Sequence, residues 1–250
     1  MIREFANIEQ ASSAAVQYIL DYAKSAVMAQ DFFTVVLAGG STPRLTYEIL
    51  GEPANTAQMP WQQTHFFWGD ERWVTATAPD SNYAMADKAL LSRVAIPPQN
   101  IHRITTGLTS PEVAAEMYEK HLRDFFQPKA LAEMNNATLN LSQPIFDLVL
   151  LGMGSDGHTA SLFPGTKLLD ETVKWVAAVP EGSGVPPVPR ITLTLPVLNR
   201  AKNILFLIAG SKKKEILNTI LTQPAEAKKL YPAARIKPAG SLIWLVAENP

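Results

Sequence analysis

The chain has no cysteine among its 250 residues. Disulfides, thiolate metal sites and a cysteine nucleophile are therefore excluded. Charge of one sign is equally scarce, since 22 basic residues against 23 acidic ones leave a formal net charge of −1. That balance gives no electrostatic footprint for nucleic acid or an anionic membrane, so any bound anion must be held by local groups. No apolar run approaches membrane-spanning length, and the opening MIREFANIEQ lacks the apolar stretch of a signal peptide. The expectation is a soluble, cytoplasmic protein with no nucleic-acid or membrane partner. Histidine is also sparse. His65, His102 and His121 are scattered, and no pair has the spacing of a metal-site motif, so no metal is expected.

With 47% hydrophobic residues the chain is globular, and its length can bury one large core or two small ones. Short apolar runs at 34–38, 64–68, 146–151, 203–209 and 241–246 read as strands. Most are apolar throughout, as expected for a sheet covered on both faces. Helical patterns fall near 9–29, 43–50, 82–91, 111–126 and 212–221, and Ser110 before Pro111 is a good helix start. This alternation predicts an α/β three-layer sandwich with a largely parallel sheet. Residues 128–144 and 180–189 read as loops or excursions. Neither marks a second domain and no internal repeat is seen, so a single domain over 1–250 is expected.

The most informative stretch is LVLLGMGSDGHTASLFPG, residues 148–165. An apolar run ends abruptly in glycines and then presents Asp156 and His158, as a buried parallel strand delivers polar groups to the carboxyl edge of a sheet. Glycines at 152, 154 and 157 permit tight turns and leave room for a ligand beside the backbone. A lone loop histidine is usually just satisfied. Here the glycines and Asp156, two residues before His158, favour a site that exchanges a proton near neutral pH.

A second edge, VVLAGGSTPRLTYEIL at 35–50, places Gly39, Gly40, Ser41 and Thr42 before Pro43 at the expected first helical position. Small residues admit an anion to the backbone N–H groups, the hydroxyls add donors, and the helix amino terminus adds partial positive charge. Phosphate is the obvious ligand, although a capped turn would satisfy the same residues. This segment carries neither GxGxxG nor a GKS or GKT loop, so it gives no support for nucleotide binding. A third edge, THFFWGDERWV, puts Asp70, Glu71 and Arg72 directly after a strand. These charges fit a solvated turn or a site residue. Arg190, after a proline-rich loop, and Lys213, at a helix start, are the candidate cations; a lysine cluster is more often a solvated helix face.

Six segments, LAGGSTPRLTYEIL, FFWGDERWV, DSNYAMA, LGMGSDGHTASLFPG, PRITLTLPVLN and LIAGSKKKEIL, occur here in the order seen in 6-phosphogluconolactonases. The sequence resembles that family over almost its whole length. The resemblance implies a Rossmann-like sandwich without a nucleotide cofactor, related to glucosamine-6-phosphate deaminase and ribose-5-phosphate isomerase. It also implies hydrolysis of 6-phospho-D-glucono-1,5-lactone to 6-phosphogluconate in the oxidative pentose phosphate pathway. The deaminases are the nearest alternative, and two departures separate this chain from them. Their usual Asp-Glu-Tyr is here Asp70-Glu71-Arg72, and their glutamate five residues after the histidine is here Phe163.

For lactone hydrolysis His158 is expected to act as general base, with Asp156 orienting it, a role that typically contributes ~10²–10⁴-fold. Arg72 is expected to serve either the oxyanion or the phosphate end. Gly39, Gly40, Ser41 and Thr42 should cradle the phosphate with Arg190 and Lys213, while Asp70 and Glu71 are further candidates. A non-catalytic sugar-phosphate sensor is the remaining alternative, but such regulators usually add a DNA-binding module, for which no extra length or basic segment is present. A monomer or small homo-oligomer is expected.

Overall fold

A computed structural model describes residues 1–133 and 144–248. In chain order the elements are β1 (Ile2–Phe5), α1 (Ile8–Gln30), β2 (Phe33–Leu37), α2 (Ser41–Leu50), α3 (Pro53–Thr56), β3 (Thr64–Trp68) and β4 (Asp70–Arg72). Next come α4 (Asn82–Ala89), β5 (Ile101–His102), α5 (Pro111–Glu133), β6 (Leu148–Leu151), β7 (Val176–Val179) and β8 (Arg190–Leu193). The last are α6 (Leu195–Leu198), β9 (Asn203–Ala209), α7 (Ser211–Thr222), α8 (Pro224–Leu230) and β10 (Ser241–Ala247).

Seven strands form one sheet in the order β1-β10-β9-β6-β2-β3-β5, and every pairing in it is parallel. The central strands β2 and β6 are buried along their whole length, which explains why their sequences read as unbroken apolar runs. Helix α1 buries Ala11, Ala15, Val16, Ile19, Leu20 and Ala23 at helical spacing, and its Asn7 side chain accepts from the Gln10 N–H. It packs on α2 and against β2, β9 and β10. The α/β sandwich expected from the alternating pattern is the fold observed.

From β2 the chain builds outward through β3 and β5, whereas from β6 it builds the other way through β9 and β10. Adjacent strands β2 and β6 thus mark the switch point, and the crevice beyond their carboxyl ends is where open α/β sheets bind ligands. At the opposite end of this seam lies buried Asp147. Its carboxylate accepts from the Thr34 N–H and Oγ1 at 2.8 Å each, from Gln30 Nε2 at 3.0 Å and from Lys202 Nζ at 2.8 Å. One buried anion thereby ties α1, β2 and the chain entering β9 to the start of β6.

A second, antiparallel sheet of order β4-β8-β7 packs against α5 and was not legible beforehand. The Asp70-Glu71-Arg72 charges form its edge strand β4 instead of a solvated turn. Two helix boundaries also differ from expectation. Helix α2 begins at Ser41, so Pro43 is its third residue, a position whose N–H needs no intrahelical partner. Helix α5 runs through Pro128 to Glu133, because the strong helix formers of ALAE continue it. The rest of the 128–144 excursion, residues 134–143, lies outside the described residues. Residues 180–189 carry no helix or strand and connect β7 to β8.

Candidate active site

A cleft of about 240 Å³ opens at the carboxyl ends of β2 and β6. It is lined by Gly39, Gly40, Ser41, Thr42, Asp70, Arg72, His158, Arg190 and Lys213, so nine of the eleven sequence-derived candidates share one wall system. Asp156 reaches it through His158. Glu71 is turned elsewhere.

The floor follows from β2. Tyr47, buried in α2, accepts from the Ala38 N–H at 2.9 Å and donates to the Ala38 carbonyl at 2.8 Å, pinning the strand end. Gly40 then adopts φ 104° as the amino-terminal cap of α2, a backbone state that favours glycine. Gly39 is constrained differently, because the Asn82 carboxamide occupies the space a Cβ would need. Asn82 also donates to the Asp70 carbonyl at 2.9 Å and to Asp70 Oδ1 at 3.2 Å. No functional role had been assigned to Asn82; the one available signal was its place inside the DSNYAMA segment.

Neighbouring Asp70 and Glu71 alternate across β4. Asp70 faces the cleft, where Ser161 Oγ donates to its Oδ2 at 2.6 Å. Glu71 points to the start of α4 and accepts from the Asn82 and Tyr83 N–H groups at 2.8 Å each, the Arg72 N–H at 2.7 Å and Ser81 Oγ at 3.0 Å. Burial pushes its carboxyl above the ordinary 4.5, and those backbone donors pull it partly back. Glu71 is a helix-capping anion rather than a cleft residue.

Arg72 and Arg190 stand directly opposite each other on β4 and β8. Like charges in that register are destabilising unless something compensates. Arg72 Nη1 donates to the Asp80 carbonyl at 2.7 Å and Arg190 Nη2 to the Pro186 carbonyl at 3.1 Å. Among the described residues, both buried Nε atoms lack a partner. Burial lowers the Arg190 pKa, with Asp70 opposing the shift and Arg72 adding to it. Burial alone lowers that of Lys213. The cleft wall therefore holds three cations and one carboxylate in a chain of net charge −1.

His158 follows β6 through a tight turn. Its Nδ1 lies 2.6 Å from Asp156 Oδ1, and its backbone N–H donates to the same oxygen at 3.1 Å. Burial raises the Asp156 carboxyl, but the His158 N–H, the imidazole charge and the ring hydrogen bond outweigh it and hold the group below 3.8. Residues 152–157, GMGSDG, have the spacing of the dinucleotide fingerprint, which sequence reading overlooked. No helix follows them, and the His158 ring fills the space a Cβ on Gly154 would take. The context that nucleotide binding requires is missing. The Phe163 ring lies 4.7 Å from the His158 ring and under the Arg190 guanidinium at 5.5 Å.

The other three histidines are not scattered in space. His65 Nδ1 lies 3.0 Å from His102 Nε2, and His102 Nδ1 lies 2.8 Å from His121 Nε2, at the β3–β5 side of the sheet away from the cleft. Phe67 stacks on His102 at 4.3 Å. Among the described residues no group of histidines and carboxylates is arranged to hold a metal ion.

An open parallel sheet whose switch-point crevice collects cations, a helix amino terminus and an acid-paired imidazole defines an α/β enzyme for a small anionic substrate. Residues 6–244 match the family described as glucosamine-6-phosphate isomerases/6-phosphogluconolactonase, and the chain belongs to that family. It is 43% identical over 216 residues to a 6-phosphogluconolactonase of Synechocystis, covering 86% of this chain and 82% of that one. The solved 6-phosphogluconolactonase of Thermotoga maritima superposes with a TM-score of 0.81 at 32% identity, covering 99% of each chain. A monomeric glucosamine-6-phosphate deaminase has a TM-score of 0.75 at 19% identity, over 98% of this chain and 96% of that one, and shares the fold.

Proposed function

We propose that this chain hydrolyses 6-phospho-D-glucono-1,5-lactone to 6-phosphogluconate, acting as a single catalytic domain in the cytoplasm. The observation that carries the reading is one cleft holding both the His158–Asp156 pair and the cations Arg72, Arg190 and Lys213. With Nδ1–H donated to Asp156, His158 Nε2 is left as the proton acceptor. Water attacks the lactone carbonyl carbon and loses its proton to Nε2. The tetrahedral intermediate then collapses, the bond from that carbon to the ring oxygen breaks, and the imidazolium returns the proton to the departing oxygen. The carbonyl is already electrophilic, so this route calls for no cofactor.

Arg72 and Arg190 form a dicationic wall for the anionic end of the substrate. An anionic oxygen acceptor shared between them satisfies their free Nε–H groups and relieves their repulsion. Gly39, Gly40, Ser41 and Thr42, at the start of α2, and Lys213 complete the phosphate cradle. Binding energy from the nonreacting phosphate positions the carbonyl against His158. Phe163, packed on the imidazole, leaves an apolar ring where the deaminases place a carboxylate for ring opening. The test supplies the fresh lactone and glucosamine 6-phosphate separately. Acid release above the spontaneous rate from the lactone, with no ammonia from the amino sugar, is the expected outcome; the reverse pattern refutes the assignment.

A further inference from the structure

The turn that carries His158 is fastened from outside the cleft, and we propose that Tyr231 is a positioning residue for the His158 imidazole. The proposal rests on His158 being the proton acceptor.

Inside the turn, the Gly154 N–H donates to the His158 carbonyl at 2.9 Å and the Gly157 N–H to the Gly154 carbonyl at 3.1 Å. These bonds fix the shape of the turn. Beyond His158 the chain is anchored at Ser161 by Thr192 and Asp70, whereas the turn itself rests on the segment 231–236. The Ala233 N–H donates to the Gly157 carbonyl at 3.0 Å. Tyr231 Cβ, Cγ and Cδ1 lie where a Cβ on Gly157 would stand, and Gly157 has φ 80°. The phenol ring thus rests directly on the residue between Asp156 and His158.

The support is itself anchored. The Tyr231 N–H donates to the Ala227 carbonyl at 2.7 Å, and Pro232, Ala233 and Ala234 are buried. Arg235 donates from Nε to the Lys228 carbonyl at 2.9 Å and from Nη1 to the Leu169 carbonyl at 3.0 Å. Tyr231 is absent from the cleft wall. Removing it frees Gly157 to shift, which misaligns the 2.6 Å contact between Asp156 and His158 without altering the phosphate cradle.

The test compares Tyr231→Ala, Tyr231→Leu, Tyr231→Phe, Asp156→Asn and the double variant Tyr231→Ala/Asp156→Asn in the lactonase assay, with His158→Asn as reference. A misplacement of about 1 Å can cost up to ~10²-fold, so Tyr231→Ala should lower kcat on the order of tenfold while KM stays within about twofold. Tyr231→Phe, which keeps the ring, should restore the wild-type rate. In the Asp156→Asn background the Tyr231→Ala loss should nearly vanish, because both changes act through one imidazole. If Tyr231→Ala does not fold, Tyr231→Leu is read in its place, alone and with Asp156→Asn. A folded variant with unchanged kcat, with KM rising in step, or with losses additive to Asp156→Asn overturns the proposal. Retained turnover in His158→Asn would instead remove the general base on which it rests.

Discussion

The four histidines divide between two environments that use the same ring in opposite ways. At the β3–β5 side, His65, His102 and His121 bond to one another, His65 and His102 packed among phenylalanines and His121 beside Tyr118. Imidazole there is cohesion, each ring committing at least one nitrogen to its neighbour. In the cleft, His158 has one nitrogen held by Asp156 and its ring exposed to a cation-lined space. A proton-transfer group needs that asymmetry: a fixed partner behind and an accessible edge in front. Proximity of histidines alone does not make a site.

The largest effect that can break this contrast is loss of His158. His158→Asn should lower lactonase turnover by ~10²–10⁴-fold while the thermal unfolding midpoint barely moves. Near-wild-type turnover in a folded variant would erase the distinction between the two environments.

A smaller effect sharpens the electrostatic side of the cleft. Arg190→Ala and Lys213→Ala should each weaken 6-phosphogluconate binding by roughly 1.5–3 kcal/mol, the worth of a charge-assisted contact. Calorimetric titration gives the number, and unchanged affinity in both variants would take these cations out of the site.

The smallest effect belongs to the histidine chain. Partial burial holds His121 below its ordinary 6.5, and Asp124 pulls it partly back. The folded protein therefore takes up this proton at lower pH than the unfolded chain does. Stability from this group is intact above about pH 7, falls as pH drops through about 6.5, and levels off below the folded-state value. Urea midpoints across that window should fall less steeply in His121→Gln, with turnover unaffected. Identical slopes in the two proteins would mean that the chain has no such linkage.

The sequence made some of this contrast legible and hid the rest. Strands such as 64–68 and 203–209 were readable because mainly apolar runs end at glycine. The glycine-rich edges were readable because turn chemistry is local. The histidine chain was not, since its members are 37 and 19 residues apart and meet only through the pairing of β3 with β5 and the packing of α5. Strand β4 was hidden for a related reason. Asp70-Glu71-Arg72 looks solvated until α4 supplies backbone donors to Glu71 and β8 brings Arg190 opposite Arg72. Burial of a charge is a tertiary property, and a one-dimensional pattern cannot show its partners.

Asp147 has a consequence for how the two halves of the sheet stay together. Thr34 and Asp147 are 113 residues apart, so no short connection helps hold β2 beside β6. The buried carboxylate fastens the rear of the seam, at the end opposite the Gly39–Thr42 loop and the His158 turn. A substrate bound between them would bridge, at the front, the same two strands that Asp147 ties at the rear and that the Val35–Leu148 and Val36–Val149 pairing joins between.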